Sequence, residues 1–189
     1  MFPSLQNYLS QKSSLSEKEI TIIESYFFAQ RAKRNEILID PNGVSDKFYF
    51  IVKGALRIYS INSEGVELSR FFAFENTFCT ALPSFIDQKK SNEYLQSIEA
   101  SQLLVINRED FYRLVDKYHE FERIYRKILE FSFINNQQRI YSYQGYTALE
   151  RVQLLMKMQP DFLLRISNKL SASYLGMSPS TLSRTKRKL

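Results

Sequence analysis

The sequence predicts an α+β chain in which a β-roll or barrel is flanked by helices and followed by a long helix and a helical hairpin. Two changes of hydrophobic period carry that reading. Residues 14–30, SLSEKEITIIESYFFAQ, hold apolar side chains at helical spacing, whereas from residue 35 the pattern becomes short β-branched and aromatic runs. After Asn107 helical spacing returns. Size and composition agree: 189 residues with 44% hydrophobic and 14% aromatic content can bury a real core, which excludes a disordered chain.

In chain order, Ser16 before Glu17 and Glu19 predicts a helix start, with Ile20, Ile23 and Phe27 on one face. The runs NEILIDP, KFYFIVKGALRIYSI, GVELSRFFAF and YLQSIEASQLLVI predict strands. Turn signals separate them at Pro41-Asn42-Gly43, Lys53-Gly54 and Asn62 to Gly65. REDFYRLVDKYH predicts a short helix, and a longer one follows from Glu120 to Tyr143. Along it Phe121, Ile124, Ile128 and Phe131 form a seam that Asn135 and Gln138 continue. Such a seam pairs with a second copy or packs on its own β-domain, and pairing is the expectation. Gln144-Gly145 breaks the run, and TALERVQLLMKMQP predicts a separate helix that stops at Pro160.

Charge is unevenly placed. Residues 148–189 carry eight basic side chains against Glu150 and Asp161, an excess equal to the whole formal net charge of +6. A neutral body with a cationic end points to a polyanion met by that end, although a solubilising tail has the same composition. No apolar run reaches the roughly 18 residues of a membrane span. The start, MFPSLQNYLSQKSS, does not read as a signal peptide, and one cysteine, Cys79, suits a reducing cytoplasm.

SASYLGMSPSTLSR, Ser171 to Arg184, reads as a helix, a glycine turn and a second helix capped by Ser178 with Pro179 at its first position. Leu175 and Leu182 can pack inward, leaving Ser180, Thr181, Ser183, Arg184 and Arg187 facing out. This is a helix-turn-helix pattern, and hydroxyls and guanidinium groups suit phosphate oxygens and base edges. On this geometry Arg184 reaches a guanine edge, while Ser178, Thr181 and Lys188 meet phosphates.

This order of parts resembles the Crp/Fnr family of bacterial transcription regulators. The residues that carry the likeness are Lys47 to Asn76 in the roll, SIEASQLLVINREDFYRL at its exit, and Ala172 to Arg184. The resemblance implies an N-terminal double-stranded β-roll like a cyclic nucleotide-binding domain, a dimerisation helix and a C-terminal helix-turn-helix domain. Expected boundaries are 1–117, 118–145 and 146–189. It also implies a cytoplasmic homodimer on a two-fold symmetric double-stranded DNA site, with RNA polymerase as a further partner and the roll as sensor.

Departures qualify the sensor. Where cyclic-nucleotide-binding relatives hold a Gly-Glu pair, this chain has Thr80-Ala81, and their Arg-Ser pair falls on Ser91-Asn92 before Glu93. A buried phosphate would lie there without its arginine, so cAMP is not expected as effector. One cysteine cannot hold an iron–sulfur cluster, and the one histidine, His119, lies outside the roll, so no metal or cofactor is expected. Phe72, Phe78, Thr80, Ala81, Ser91 and Asn92 mark the effector region, whose rings either line a pocket or fill it. No β-wing is expected after the recognition helix, since the sequence ends at Leu189, and Ser171 and Thr185 should weaken the hairpin's own core.

The reading is a sequence-specific DNA-binding regulator. Its alternative is a ligand- or partner-binding module whose basic end contacts nucleic acid nonspecifically. With no HExxH, phosphate loop or nucleophile-elbow motif, an enzyme is not expected.

Overall fold

Pro3 sits at the first position of a helix that the periodicity did not announce. In the computed structural model, which describes residues 1–189, α1 spans Pro3–Lys12 and buries Leu5 and Leu9 completely. Glu24, itself buried, receives the Phe2 amide and the Gln6 side chain, which ties this helix to the next. That next helix, α2 (Glu17–Glu24), has the expected start: Ser16 Oγ accepts from the Glu19 amide, and the Glu19 carboxylate accepts from the Ser16 amide at 2.8 Å. It ends sooner than residue 30. Phe28–Ala32 is instead β1, paired antiparallel with β8 (Ser101–Asn107) from Phe28↔Val105 to Ala32↔Ser101. The ladder satisfies the same backbone groups that a helix would, and tertiary pairing overrides local periodicity.

The other strands are β2 (Ile37–Ile39), β3 (Lys47–Lys53), β4 (Leu56–Ile61), β5 (Glu67–Ala73), β6 (Phe78–Cys79) and β7 (Tyr94–Ser97). They form two four-stranded sheets, in the orders β1-β8-β3-β6 and β2-β7-β4-β5. A short helix, α3 (Leu82–Asp87), and α4 (Arg108–Lys117) complete the roll, and α5 (His119–Gly145) follows as one 27-residue helix. Two compact units result, Met1–Ser60 with Phe71–Glu130, and Ile61–Arg70 with Phe131–Leu189.

In the first unit, strand alternation builds two cores. Tyr49, Ile51, Leu103 and Val105 face Leu56, Ile58 and Leu95 of the other sheet. Phe48, Phe50, Leu104 and Ile106 point the opposite way, where α1, α2, α4 and the start of α5 cover them. Both faces of β3 and β8 are therefore buried, which explains why FYFIV and LLVI are continuous apolar runs rather than alternating ones. Each such phenylalanine contributes about 1.5–3 kcal/mol by burial. Gly54 has φ +108° between β3 and β4, and a Cβ there would stand 2.1 Å from Ser101 Oγ.

The second unit is helical. α6 (Ala148–Met158) begins in a capping box between Thr147 and Glu150 and stops two residues before Pro160. α7 (Phe162–Arg165), α8 (Asn168–Tyr174) and α9 (Pro179–Lys186) follow. Val152, Leu155, Phe162, Ile166, Ala172, Leu175 and Leu182 are its buried apolar residues. The hairpin tip at Ile61–Arg70 belongs to this unit: Ser173 Oγ donates to the Glu67 carbonyl at 2.8 Å and accepts from the Ser69 amide at 2.9 Å. No helix is long and apolar enough to cross a membrane.

Candidate nucleic-acid interface and candidate effector segment of the roll

The turn between α8 and α9 is fixed by backbone geometry. Gly176 takes φ +63°, the Met177 amide donates to the Ala172 carbonyl at 3.0 Å, and the Gly176 amide donates to the Ser173 carbonyl at 3.3 Å. This pair of bonds is a Schellman motif with glycine at its left-handed position. A Cβ on Gly176 would lie 3.0 Å from Tyr143 Cε1, a tight approach that adds to the preference for glycine set by φ. Arg151 Nη1 donates to the Leu175 carbonyl at 2.8 Å and clamps the same turn from α6. On its far side Tyr143, whose hydroxyl is pushed to higher pKa chiefly by burial, donates to the Tyr174 carbonyl at 2.6 Å.

α9 starts at Ser178, whose Oγ accepts from the Thr181 amide at 3.0 Å, with Pro179 at the first position. The Ser178 hydroxyl also meets Ser180 Oγ at 2.9 Å and Thr181 Oγ1 at 2.8 Å, so it serves as cap in addition to any outside contact. Asn168 Nδ2 reaches across from α8 to the Pro179 carbonyl at 3.0 Å and to Ser183 Oγ at 3.3 Å, which sets the pitch of α9. Leu182 and Thr185 face the core; Ser178, Ser180, Ser183, Arg184, Arg187 and Lys188 are exposed and Thr181 is half-buried. Ser180, Ser183, Arg184 and Arg187 recur at helical spacing on one stripe. Arg184 makes no hydrogen bond or ion pair within the chain.

Ser171 and Thr185 do not weaken the hairpin in the way their types suggest. Ser171 is fully buried with Oγ donating to the Ile166 carbonyl at 3.3 Å, and Thr185 Oγ1 donates to the Thr181 carbonyl at 2.9 Å. Each hydroxyl meets a backbone acceptor, which removes most of the cost of burying it.

The seam expected along α5 divides. Phe121 and Ile124 are buried in the core of the first unit, Phe121 edge-on to Phe111 with ring centroids 5.4 Å apart, and Ile128 packs partly against the same cluster. These side chains are covered by the chain's own roll, the reading that sequence periodicity left as the alternative. Further along, Phe131 (54%) and Ile134 (53%) are exposed, and Asn135 donates to the Phe131 carbonyl.

The segment expected to hold an effector closes on itself. Thr80 Oγ1 donates to the Lys47 carbonyl at 2.7 Å and meets Ser45 Oγ at 2.8 Å, while the Ser45 amide donates to Ser84 Oγ. The Ser91 amide donates to the Gly43 carbonyl, and Ser91 Oγ donates to the Glu93 carbonyl at 2.7 Å. Residues 43–45 thus join Thr80 to Ser91. Ala81 and Phe72 are buried and Asn92 is exposed. Phe78 belongs to the aromatic cluster under α1, with Tyr8, Phe48 and Phe50 around it, and so lies apart from the core between the sheets.

With this geometry in place, comparison with known proteins is informative. Residues 29–118 match the family described as the cyclic nucleotide-binding domain. FixK2 from Bradyrhizobium japonicum superposes with a TM-score of 0.73 at 18% identity, over 86% of this chain and 84% of that one. The fold is that of Crp/Fnr regulators. A Crp/Fnr family transcriptional regulator from Eubacterium rectale gives 0.70 at 16% identity, over 96% and 87%. The catabolite activator protein of Thermus thermophilus gives 0.62 at 19%, over 96% and 86%. No curated protein matches the chain.

Within the Crp/Fnr fold, one buried cation escaped the sequence reading. Arg57 on β4 is 2% exposed, donates through Nη2 to Gln96 Oε1 at 2.8 Å, and lies 3.8 Å over the Tyr59 ring. Tyr59 in turn stacks on Tyr94 at 4.8 Å. The pairing Arg57↔Gln96 and Tyr59↔Tyr94 places all four on the sheet face opposite Leu56 and Ile58. The only available signal was an arginine inside an otherwise apolar strand.

Proposed function

We propose that the chain is a homodimeric, sequence-specific DNA-binding transcription regulator of the cytoplasm, not an enzyme. The observation that carries this reading is the exposed Ser180–Ser183–Arg184–Arg187 stripe of α9, held by the Ser178 cap and the Gly176 turn within the part of the chain that contains the whole net charge. Arg184 reads a base edge in the major groove, and Thr181, Arg187 and Lys188 contact phosphates. Two copies associate along the exposed part of α5 around Phe131, Ile134 and Asn135, which sets two recognition helices about 34 Å apart on the duplex.

The roll is a sensor that does not take cAMP. In support, the hydroxyls of Thr80 and Ser91 already bond within the chain, and no arginine stands at Ser91 or Asn92.

Operator selection from random duplex DNA, followed by titration of the selected site, tests the proposal. A common two-fold symmetric motif is expected, with Arg184→Ala weakening its binding by about 1–3 kcal/mol and relaxing preference at one base position per half-site. Recovery of no motif would instead favour a ligand-binding module with a nonspecific basic end.

A further inference from the structure

The second unit contains a cavity that the proposed DNA contact does not use. It is open to solvent and lined by Arg139 and Tyr143 of α5, Arg151, Leu154 and Met158 of α6, and Tyr174 of α8, among others. Two arginines line it and no carboxylate does. Arg139 is a fixed wall: Nη2 donates to the Tyr143 hydroxyl at 2.8 Å, Nη1 donates to the Arg70 carbonyl, and the guanidinium lies 4.7 Å over the Tyr174 ring.

Arg151 is different. Its Nη1 is engaged by the Leu175 carbonyl, while Nε is buried without a hydrogen-bond partner. A buried donor on a cation is costly to leave unmet. Nε and Nη2 form one edge of the planar guanidinium, and two parallel donors on such an edge match the two oxygens of a carboxylate. The cavity's other walls include the side chains of Tyr143, Tyr174, Leu154 and Met158.

We infer that this cavity binds a small organic carboxylate, taken side-on by Nε and Nη2 of Arg151 with its apolar body against Tyr143, Tyr174, Leu154 and Met158. The same guanidinium holds the turn that leads into α9. On the DNA-binding function proposed above, the cavity is therefore an effector site that acts on the recognition helix directly.

Calorimetric titration of the full chain with benzoate tests the site, with the neutral isostere benzamide as control. Benzoate binds saturably in the millimolar range or tighter, and benzamide binds at least about tenfold more weakly. Arg151→Lys keeps a cation that can reach the Leu175 carbonyl but loses the fork, and Leu154→Trp fills the cavity while leaving the arginine. Each weakens benzoate about tenfold or more, with circular dichroism and unfolding midpoint near the parent's. Equal binding of benzamide, no saturation by benzoate, or parent-like binding in both variants would overturn the inference. A parent that binds benzoate but no DNA upholds the cavity and removes only its effector role.

Discussion

Gly176 is where a single missing methyl group decides the geometry of a surface. Its φ of +63° disfavours any L side chain and the 3.0 Å approach of Tyr143 Cε1 makes a Cβ crowded, and the turn it forms aims α9. Gly176→Ala is expected to destabilise the second unit by more than about 1 kcal/mol, because an L-residue at positive φ adds strain to the clash. Denaturant unfolding measures the loss, and DNA affinity should fall with it. Retained affinity and stability in the alanine variant would mean that the turn relaxes freely. Glu150 gives a prediction with a pH sign. Its carboxylate accepts from the Thr147 amide at 2.7 Å, and that bond, followed by the one from the Thr147 hydroxyl, holds its pKa below the ordinary 4.5. A carboxylate with a depressed folded-state pKa stabilises above its unfolded pKa and loses that contribution as pH falls through the folded value. Glu150→Gln should therefore flatten part of the acid limb of a stability–pH profile below about pH 4.5. An unchanged acid limb would show that the capping box adds nothing there.

At the scale of elements, α5 shows what periodicity can and cannot resolve. The repeat from Phe121 to Asn135 was visible as one seam, yet its first part lies in the roll's core and its later part is exposed. Spacing marks which side chains share a face; it does not say what covers them. If two copies pair along α5 as proposed, Phe131→Glu with Ile134→Glu is expected to convert the dimer to a monomer in sedimentation velocity while leaving the roll's unfolding midpoint nearly unchanged, since neither side chain is in its core. A variant that remains dimeric would move the interface elsewhere. The same limit applies to strands. FYFIV and LLVI were recognisable as strands, but their two opposite buried faces became evident only once helices were seen on one side and a second sheet on the other. Helix α1 was missed for a related reason: Leu5 and Leu9 alone are too sparse a repeat to announce a helix without its partner surface.

For the whole molecule, the uneven charge makes the clearest prediction. On the proposed function, eight basic groups against two acidic ones after residue 147 would release counterions on binding DNA, so affinity should fall by about a thousandfold or more between roughly 50 and 200 mM salt if a dimer contacts at least about six phosphates. Arg187→Ala should weaken all sequences alike and lower the salt slope, in contrast to Arg184→Ala, which changes preference among them. A slope near zero would remove the electrostatic part of the argument.

By itself the chain's order of residues determined the succession of helix, roll, long helix and helical hairpin, along with the cap at Ser178, the glycine at the turn and the location of the net charge. Those features depend on neighbours within a few positions, where periodicity, backbone freedom and charge act directly. Only the tertiary structure decided that Phe78 and Phe121 are core, that Thr80 and Ser91 bond within the chain, that Arg57 is buried among tyrosines, and that Arg151 keeps an unmet donor beside a cavity. Each of those outcomes is set by groups distant in sequence, and no local pattern encodes what a distant segment will place against a given side chain.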